Sequence, residues 1–231
     1  MADTERRAKL KKKIRVIDNL LVGLYGRHEV DGTEDPLDTL VETILSQNTT
    51  DFNSHKSFLA LKKEYPKWEL LLGQDPKNVS KIIRSGGLPD IKAERILGAL
   101  EFIKRSRGRL SIDFLGDMSP SDADAWLAQM KGVGPKTRSI VLLFSLGMPA
   151  FPVDTHIHRV SKRLGLIGLK VTREQAQLEL GSLVSRRNFY NFHINLIEHG
   201  RAVCQARKPK CAVCALTRMC DFYRATKKAQ S

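Results

Sequence analysis

The stretch "MKGVGPKTRSIVLLFSLGMPAFPVDTHIHRV", Met130–Val160, decides how the chain is read. "LAQMKGVGPKT" before and within it reads as helix, tight turn, helix. Gly132 and Gly134 permit backbone angles closed to other residues and leave the turn's amides uncovered. Uncovered amides at a helix start form an anion site suited to a DNA phosphate, although an ordinary helical hairpin uses glycines as well. Lys136 then stands at the mouth of an apolar helix, where the helix dipole disfavours a cation by roughly 0.3–1 kcal/mol. That field, with partial burial, favours loss of the proton and would make the amine a nucleophile able to form a Schiff base. Read alone, a phosphate-contacting lysine fits the position better. Asp154 follows eighteen residues later, before another helix. It reads as an N-cap, and a carboxylate held there could also stabilise an oxocarbenium-like sugar or take a proton from the lysine.

Outward from this stretch the pattern is helical nearly throughout. "DPLDTLVETILSQN" has Leu37, Leu40, Val41 and Ile44 at helical spacing with Pro36 in the first turn. "DFNSHKSFLALKKEY" follows, with Asp51 as the expected cap and Phe58, Leu59 and Leu61 on the expected buried side. "DPKNVSKIIRS" stops at Gly86-Gly87. "PDIKAERILGALEFIKRS" presents Ile91, Ile96, Leu97 and Leu100, and "SPSDADAWLAQM" opens on a Ser119 cap with Pro120 behind it. "PKTRSIVLLFSLG", "VDTHIHRVSKRLGL", "TREQAQLELGSLVSR" and "NFYNFHINLIEHGRAVC" complete the series. No pair of β-branched runs flanks an Asn-Gly turn, so the expected class is all-α, ending in a loop-rich cysteine segment.

All four cysteines fall in that segment, Cys204, Cys211, Cys214 and Cys220, spaced C-x6-C-x2-C-x5-C. Disulfides do not suit the reducing compartment expected for this chain. The spacing fits four thiolates closing a loop around a metal. Structural zinc usually shows two C-x2-C pairs and here there is one; an iron–sulfur cubane accepts irregular spacing. Either would give a coil with little core of its own a fixed shape for its arginines and lysines.

The net charge is +14 over 231 residues, and most of it lies at the ends. Residues 1–15 carry seven Lys/Arg against two acids, and residues 201–231 eight against one. The ends therefore hold +5 and +7, and the 185 residues between them +2. Two basic ends on a near-neutral middle suggest one face for a polyanion, with solvated tails as the plain alternative. No amphipathic helix with Trp or Phe on one face and no span-length apolar run points to a membrane. The N-terminal basic residues lack the apolar run of a secretory signal, so the expected location is intracellular: cytoplasmic, and nucleoid-associated in a bacterium.

Taken together, "KGVGPKT", "FPVDTHIHRV", the cysteine tail, "ETILSQNTTD" and "GGLPDIKAERI" resemble the endonuclease III family of the helix–hairpin–helix DNA glycosylases, over roughly residues 36–224. The resemblance implies a six-helix domain, 36–148, carrying the hairpin. It implies a second domain, 1–35 plus 149–231, carrying a [4Fe–4S] cluster on Cys204, Cys211, Cys214 and Cys220. A cleft between them would place Lys136 and Asp154 on opposite walls. It further implies a bifunctional glycosylase/AP lyase of base excision repair, a monomer acting on double-stranded DNA with a damaged base or abasic site. Lys136 would attack C1′, expel an oxidised pyrimidine and nick the strand by β-elimination, with Asp154 as the second catalytic residue. Gln47 would fill the space of the extruded base and Leu88 would wedge the opposite strand. Gly132, Val133, Gly134 and Thr137 of the hairpin would contact DNA, and His156 would approach the extruded nucleotide. Competing readings are a glycosylase with another target (a uracil or thymine mismatch, or 5-methylcytosine, since "SLGMPAFPVDTHIHRV" is similar to plant demethylating glycosylases), a monofunctional mismatch enzyme, and a cluster-containing DNA-binding protein without catalysis.

Overall fold

The structure is a computed structural model that describes residues 2–30 and 34–229. It contains eleven α-helices and no strand among the described residues. They are α1 (Ala2–Tyr25), α2 (Pro36–Leu45), α3 (Asp51–Glu64), α4 (Pro76–Ile82), α5 (Pro89–Arg107), α6 (Pro120–Leu127), α7 (Pro135–Ile140), α8 (Thr155–Leu164), α9 (Arg173–Leu183), α10 (Phe189–Ala202) and α11 (Asp221–Lys228). The protein is all-α, as the periodicity predicts. Two compact units divide it: Met1–Val30 with Pro149–Ser231, and Asp31–Met148.

In the unit 31–148, α2 is the central helix. Asp35 caps it, accepting from Leu37 and Asp38 amides, and Pro36 opens it. Its Leu40, Ile44 and Leu45 are wholly buried, against α3, α5 and α7. Burying each such side chain contributes about 1.5–3 kcal/mol before the entropy of ordering it is set against that. Ile96, Leu97, Leu100 and Ile103 complete the core from α5.

Three local expectations are corrected. Thr50, not Asp51, caps α3: its hydroxyl accepts from the Asn53 amide at 3.3 Å, and Asp51 becomes the first helical residue. Leu59 is exposed and Phe58 half-buried, whereas Leu61 is buried with Ser54 and Ser57. The inward face of α3 is partly small and polar because Ser57 lies hard against Gly86, where a larger side chain would not fit. Ile91, in the first turn of α5, is also exposed.

In the other unit α10 is central, packed against α1 and α8. Phe192 and Leu196 of α10, Ile17 and Leu21 of α1, and Ile157 and Val160 of α8 are wholly buried. The buried Asp18 joins α1 to the α10 end, accepting from Asn188 at 2.6 Å and Asn191 at 3.1 Å. Burial raises its pKa, and the two amides oppose that. Lys13 of α1 pairs with Asp221 of α11 at 3.2 Å and donates to the Leu164 carbonyl at the end of α8. The two basic ends of the chain thus meet in one unit.

Candidate functional site

The hairpin turn lies between α6 and α7. Gly132 has φ +84°, and a Cβ there would collide with the Arg95 side chain. Gly134 is extended (φ −78°) and needs no glycine for its backbone, so only one of the two glycines is conformationally required. The Val133 amide donates to Met130 at 3.2 Å and the Val133 side chain is buried. The amides of Gly132 and Gly134 meet no protein acceptor among the described residues. Arg138 of α7 donates to Asp124 of α6 at 2.8 Å and to the Val133 carbonyl at 3.2 Å, so it clamps both arms of the hairpin. The sequence shows this clamp only as opposite charges on either side of a turn.

Lys136 is the second residue of α7. It is exposed, not partly buried as expected, and its amine makes no hydrogen bond or ion pair among the described residues. One and two turns onward, Ile140 and Phe144 line a polar pocket with Glu34, Glu42, Ser46, Asp51 and His55. In that pocket His55 Nδ1 and Glu42 lie 2.8 Å apart, and Thr39 of its lining accepts from Ser145 at 2.7 Å. Sequence reasoning missed this pocket, because its residues come from three helices with no motif spacing. The helix continues past Ile140 as a π-turn, Val141–Ser145, with Val141, Leu142 and Leu143 buried.

Gln47 is tied to the hairpin. Its amide nitrogen donates to the Gly132 carbonyl at 3.1 Å and to the Thr137 hydroxyl at 3.4 Å, and Arg95 donates to its oxygen. Thr137 is therefore buried under Gln47 rather than turned to solvent. Asn48, next to it, is exposed in the left-handed region with φ 53°. Leu88 is left-handed too (φ 49°) and 47% exposed, at the N-cap of α5.

Asp154, in the other unit, caps α8: its Oδ1 accepts from the Ile157 amide at 2.7 Å. His156 turns toward α10, where Gly200 leaves room for it, and its Nδ1 accepts from Arg159 at 3.1 Å. His158 bonds the Val171 carbonyl at 2.8 Å.

The four cysteines line one cavity in that same unit, with Val160, Leu164 and Val203 supplying apolar wall. Among the described residues no three His, Cys, Asp or Glu groups stand close enough to chelate a single ion. A zinc ion at about 2.3 Å from each thiolate would need four sulfurs nearly touching, so the arrangement suits a larger polynuclear group better. Burial raises the thiol pKa of Cys214 and Cys220, and the neighbouring cysteines raise both further. Four thiolates would coexist here only with a cationic group between them. His199 lies 3.6 Å from Cys214, and burial pushes it down to about 4, which keeps its ring neutral. The segment's backbone is held from α8. Arg159 donates to the Cys204 and Gly200 carbonyls at 3.0 and 2.9 Å, and Arg163 to Gln205 and Ala206 at 2.7 and 3.0 Å.

Residues 41–186 match the HhH-GPD superfamily of base excision DNA repair proteins. The chain is 37% identical over 175 residues to a protein of Arabidopsis thaliana named as a DNA glycosylase, covering 76% of this chain and 60% of that one. It is 32% identical over 196 residues to the endonuclease III of Thermotoga maritima, covering 85% of this chain and 87% of that one. A structure of a trapped endonuclease III–DNA covalent intermediate superposes with a TM-score of 0.79 at 25% identity, covering 94% of this chain and 98% of that one. A glycine hairpin carrying an exposed lysine, a capped aspartate loop and a four-thiol cavity accompany that likeness, and the chain belongs to the endonuclease III family of the HhH-GPD superfamily.

Proposed function

We propose that the protein is a bifunctional DNA glycosylase/AP lyase that removes oxidised pyrimidines from double-stranded DNA. The observation that carries this reading is Lys136: an exposed, unpaired amine heading the hairpin helix of a chain in this family. The Lys136 amine, in its free-base form, attacks C1′ of an extruded nucleotide. The C1′–N bond breaks toward the base, which leaves with the electron pair and takes up a proton. As positive charge gathers on C1′ and the ring oxygen, the Asp154 carboxylate stabilises it. Loss of the amine proton and opening of the sugar ring leave an imine. Removal of a C2′ proton then expels the 3′ phosphate oxygen with its bonding pair, and water frees the lysine. The polar pocket reached by Ile140 and Phe144, one and two turns beyond Lys136, offers carboxylates and hydroxyls to a pyrimidine edge.

The backbone at Gly132, Val133 and Gly134 receives a phosphate. Leu88 and the Gln47-Asn48 turn enter the opened stack, with the Gln47 side chain anchoring that turn to the hairpin, and His156 neighbours the extruded nucleotide. Cys204, Cys211, Cys214 and Cys220 hold a [4Fe–4S] cluster, which fixes the loop bearing Arg207, Lys208 and Lys210 for contact with DNA.

The test is borohydride trapping on a thymine glycol duplex, comparing the native protein with Lys136→Ala. A covalent protein–DNA band lost in the variant is the expected result. Base release without a band would replace this reading with a monofunctional one. No release of thymine glycol, with release from a uracil mismatch or 5-methylcytosine duplex, would move the target.

A further inference from the structure

Lys92 is 1% exposed and heads the largest fully buried side chains of the molecule. Among the described residues no carboxylate answers it: its Nζ donates to the Leu45 carbonyl at 2.6 Å and to the Gly86 carbonyl at 2.7 Å. Burial first, and the nearby Arg95 guanidinium second, lower its pKa to about 8, so the ammonium is held at a cost. An apolar side chain would fill this space without that cost. The two carbonyls say what the charge does. Leu45 is the last residue of α2 and Gly86 the last of the short 3-10 turn Arg84–Gly86. Each ends its helix or turn with a carbonyl that lacks an intrahelical partner, and each leads into a turn carrying an exposed, left-handed, non-glycine residue. These are Asn48 and Leu88, two of the three such residues in the described chain. The turns are neighbours: a Cβ added to Gly87 would stand 4.0 Å from the Asn48 carbonyl oxygen. Strained conformations of this kind persist where surrounding structure over-determines them.

The same face of α5 makes the remaining ties. Leu88 caps the helix, the Lys92 amide donates to the Leu88 carbonyl at 3.1 Å, and Arg95, three residues on, holds Gln47 against the hairpin. Ser57 braces the Gly86 turn from behind, bonding Ser85 at 2.9 Å and the Ile83 carbonyl at 3.3 Å.

We infer that Lys92 is a positioning residue: its ammonium locks the Gln47-Asn48 turn to the Gly87-Leu88 turn, so that both enter the opened duplex as one rigid insert. The inference rests on the function proposed above and assigns Lys92 no contact with DNA or the reacting atoms. Asn48 belongs to the insert with Leu88. Gln47 faces the hairpin in this structure and anchors the turn from that side.

The experiment separates opening the duplex from the chemistry. Single-turnover borohydride trapping is measured on an abasic site in duplex and on the same site in single-stranded DNA. A 2-aminopurine opposite the duplex site reports unstacking. Lys92→Met should trap the single strand within about threefold of the native rate yet lose about tenfold or more on the duplex, with a reduced 2-aminopurine signal. Lys92→Gln, which keeps an NH2 donor pair, should recover part of that loss. Leu88→Ala, at an exposed position that cannot unfold the core, should give the duplex loss as well. Combining it with Lys92→Gln should add less than the sum. Equal loss on both substrates, or a native rate on the duplex, would overturn the inference. Failure of the native protein to trap either substrate would instead overturn the glycosylase/lyase reading.

Discussion

Asp154 commits one carboxylate oxygen to the Ile157 amide, and that single bond separates its structural role from its chemical one. Asn caps a helix about as well as Asp, so Asp154→Asn should keep the stability within about 0.5 kcal/mol. It removes the negative charge, and base release in a single turnover should fall about 100- to 1000-fold. Melting curves and release assays on the same preparation check both halves; a lowered melting temperature with an unchanged rate would leave Asp154 a cap alone. That role was legible in the sequence, since an aspartate preceding an apolar helical period has few other uses. The cap of α3 was not, because Thr50 and Asp51 are both good caps and only the reach of the Thr50 hydroxyl to Asn53 decides between them. Nor were the left-handed Asn48 and Leu88, which no turn motif in the sequence marks.

Helices from 36 to 202 could be read from the 3.6-residue period because each has enough apolar positions to mark a face. Helix α1 could not. Its buried Ile14, Ile17 and Leu21 are spread among basic residues, and charge dominates the pattern. The cysteine segment is the opposite case: spacing announced it, while its supports, Arg159 and Arg163, lie forty residues away on α8. With so little apolar side chain inside it, the segment depends on those arginines and on whatever its thiols hold. The purified protein should be yellow-brown with about four irons per chain. Oxidative removal of the iron should lower the melting temperature and open residues 203–220 to proteolysis, with cleavage mapped by mass spectrometry. A colourless, equally stable protein containing one zinc would contradict the cluster.

Over the whole molecule, charge and chemistry occupy different residues. Of the +14, +12 sits in residues 1–15 and 201–231, which belong to one unit and are stitched by the Lys13–Asp221 pair. That pair gives the composition-level expectation of a common basic face a physical basis, since solvated tails would have no such tie. Lys11, Lys12, Arg207 and Lys208 are exposed and carry no ion pair among the described residues. No helix among the described residues is long and apolar enough to cross a membrane. If these four meet phosphates, each contact releases counterions, and the slope of log K against log salt changes by about 0.9 per contact. Changing all four to Gln should therefore flatten the slope by about 2–4 and weaken damaged and undamaged duplex alike. Trapping at saturating protein should stay at the native rate, because neither Lys136 nor Asp154 is touched. Fluorescence anisotropy across a salt series, run beside the trapping assay, reads both. An unchanged slope would place the DNA contacts elsewhere on the protein, and a selective loss on damaged duplex would mean that the basic ends read the lesion itself.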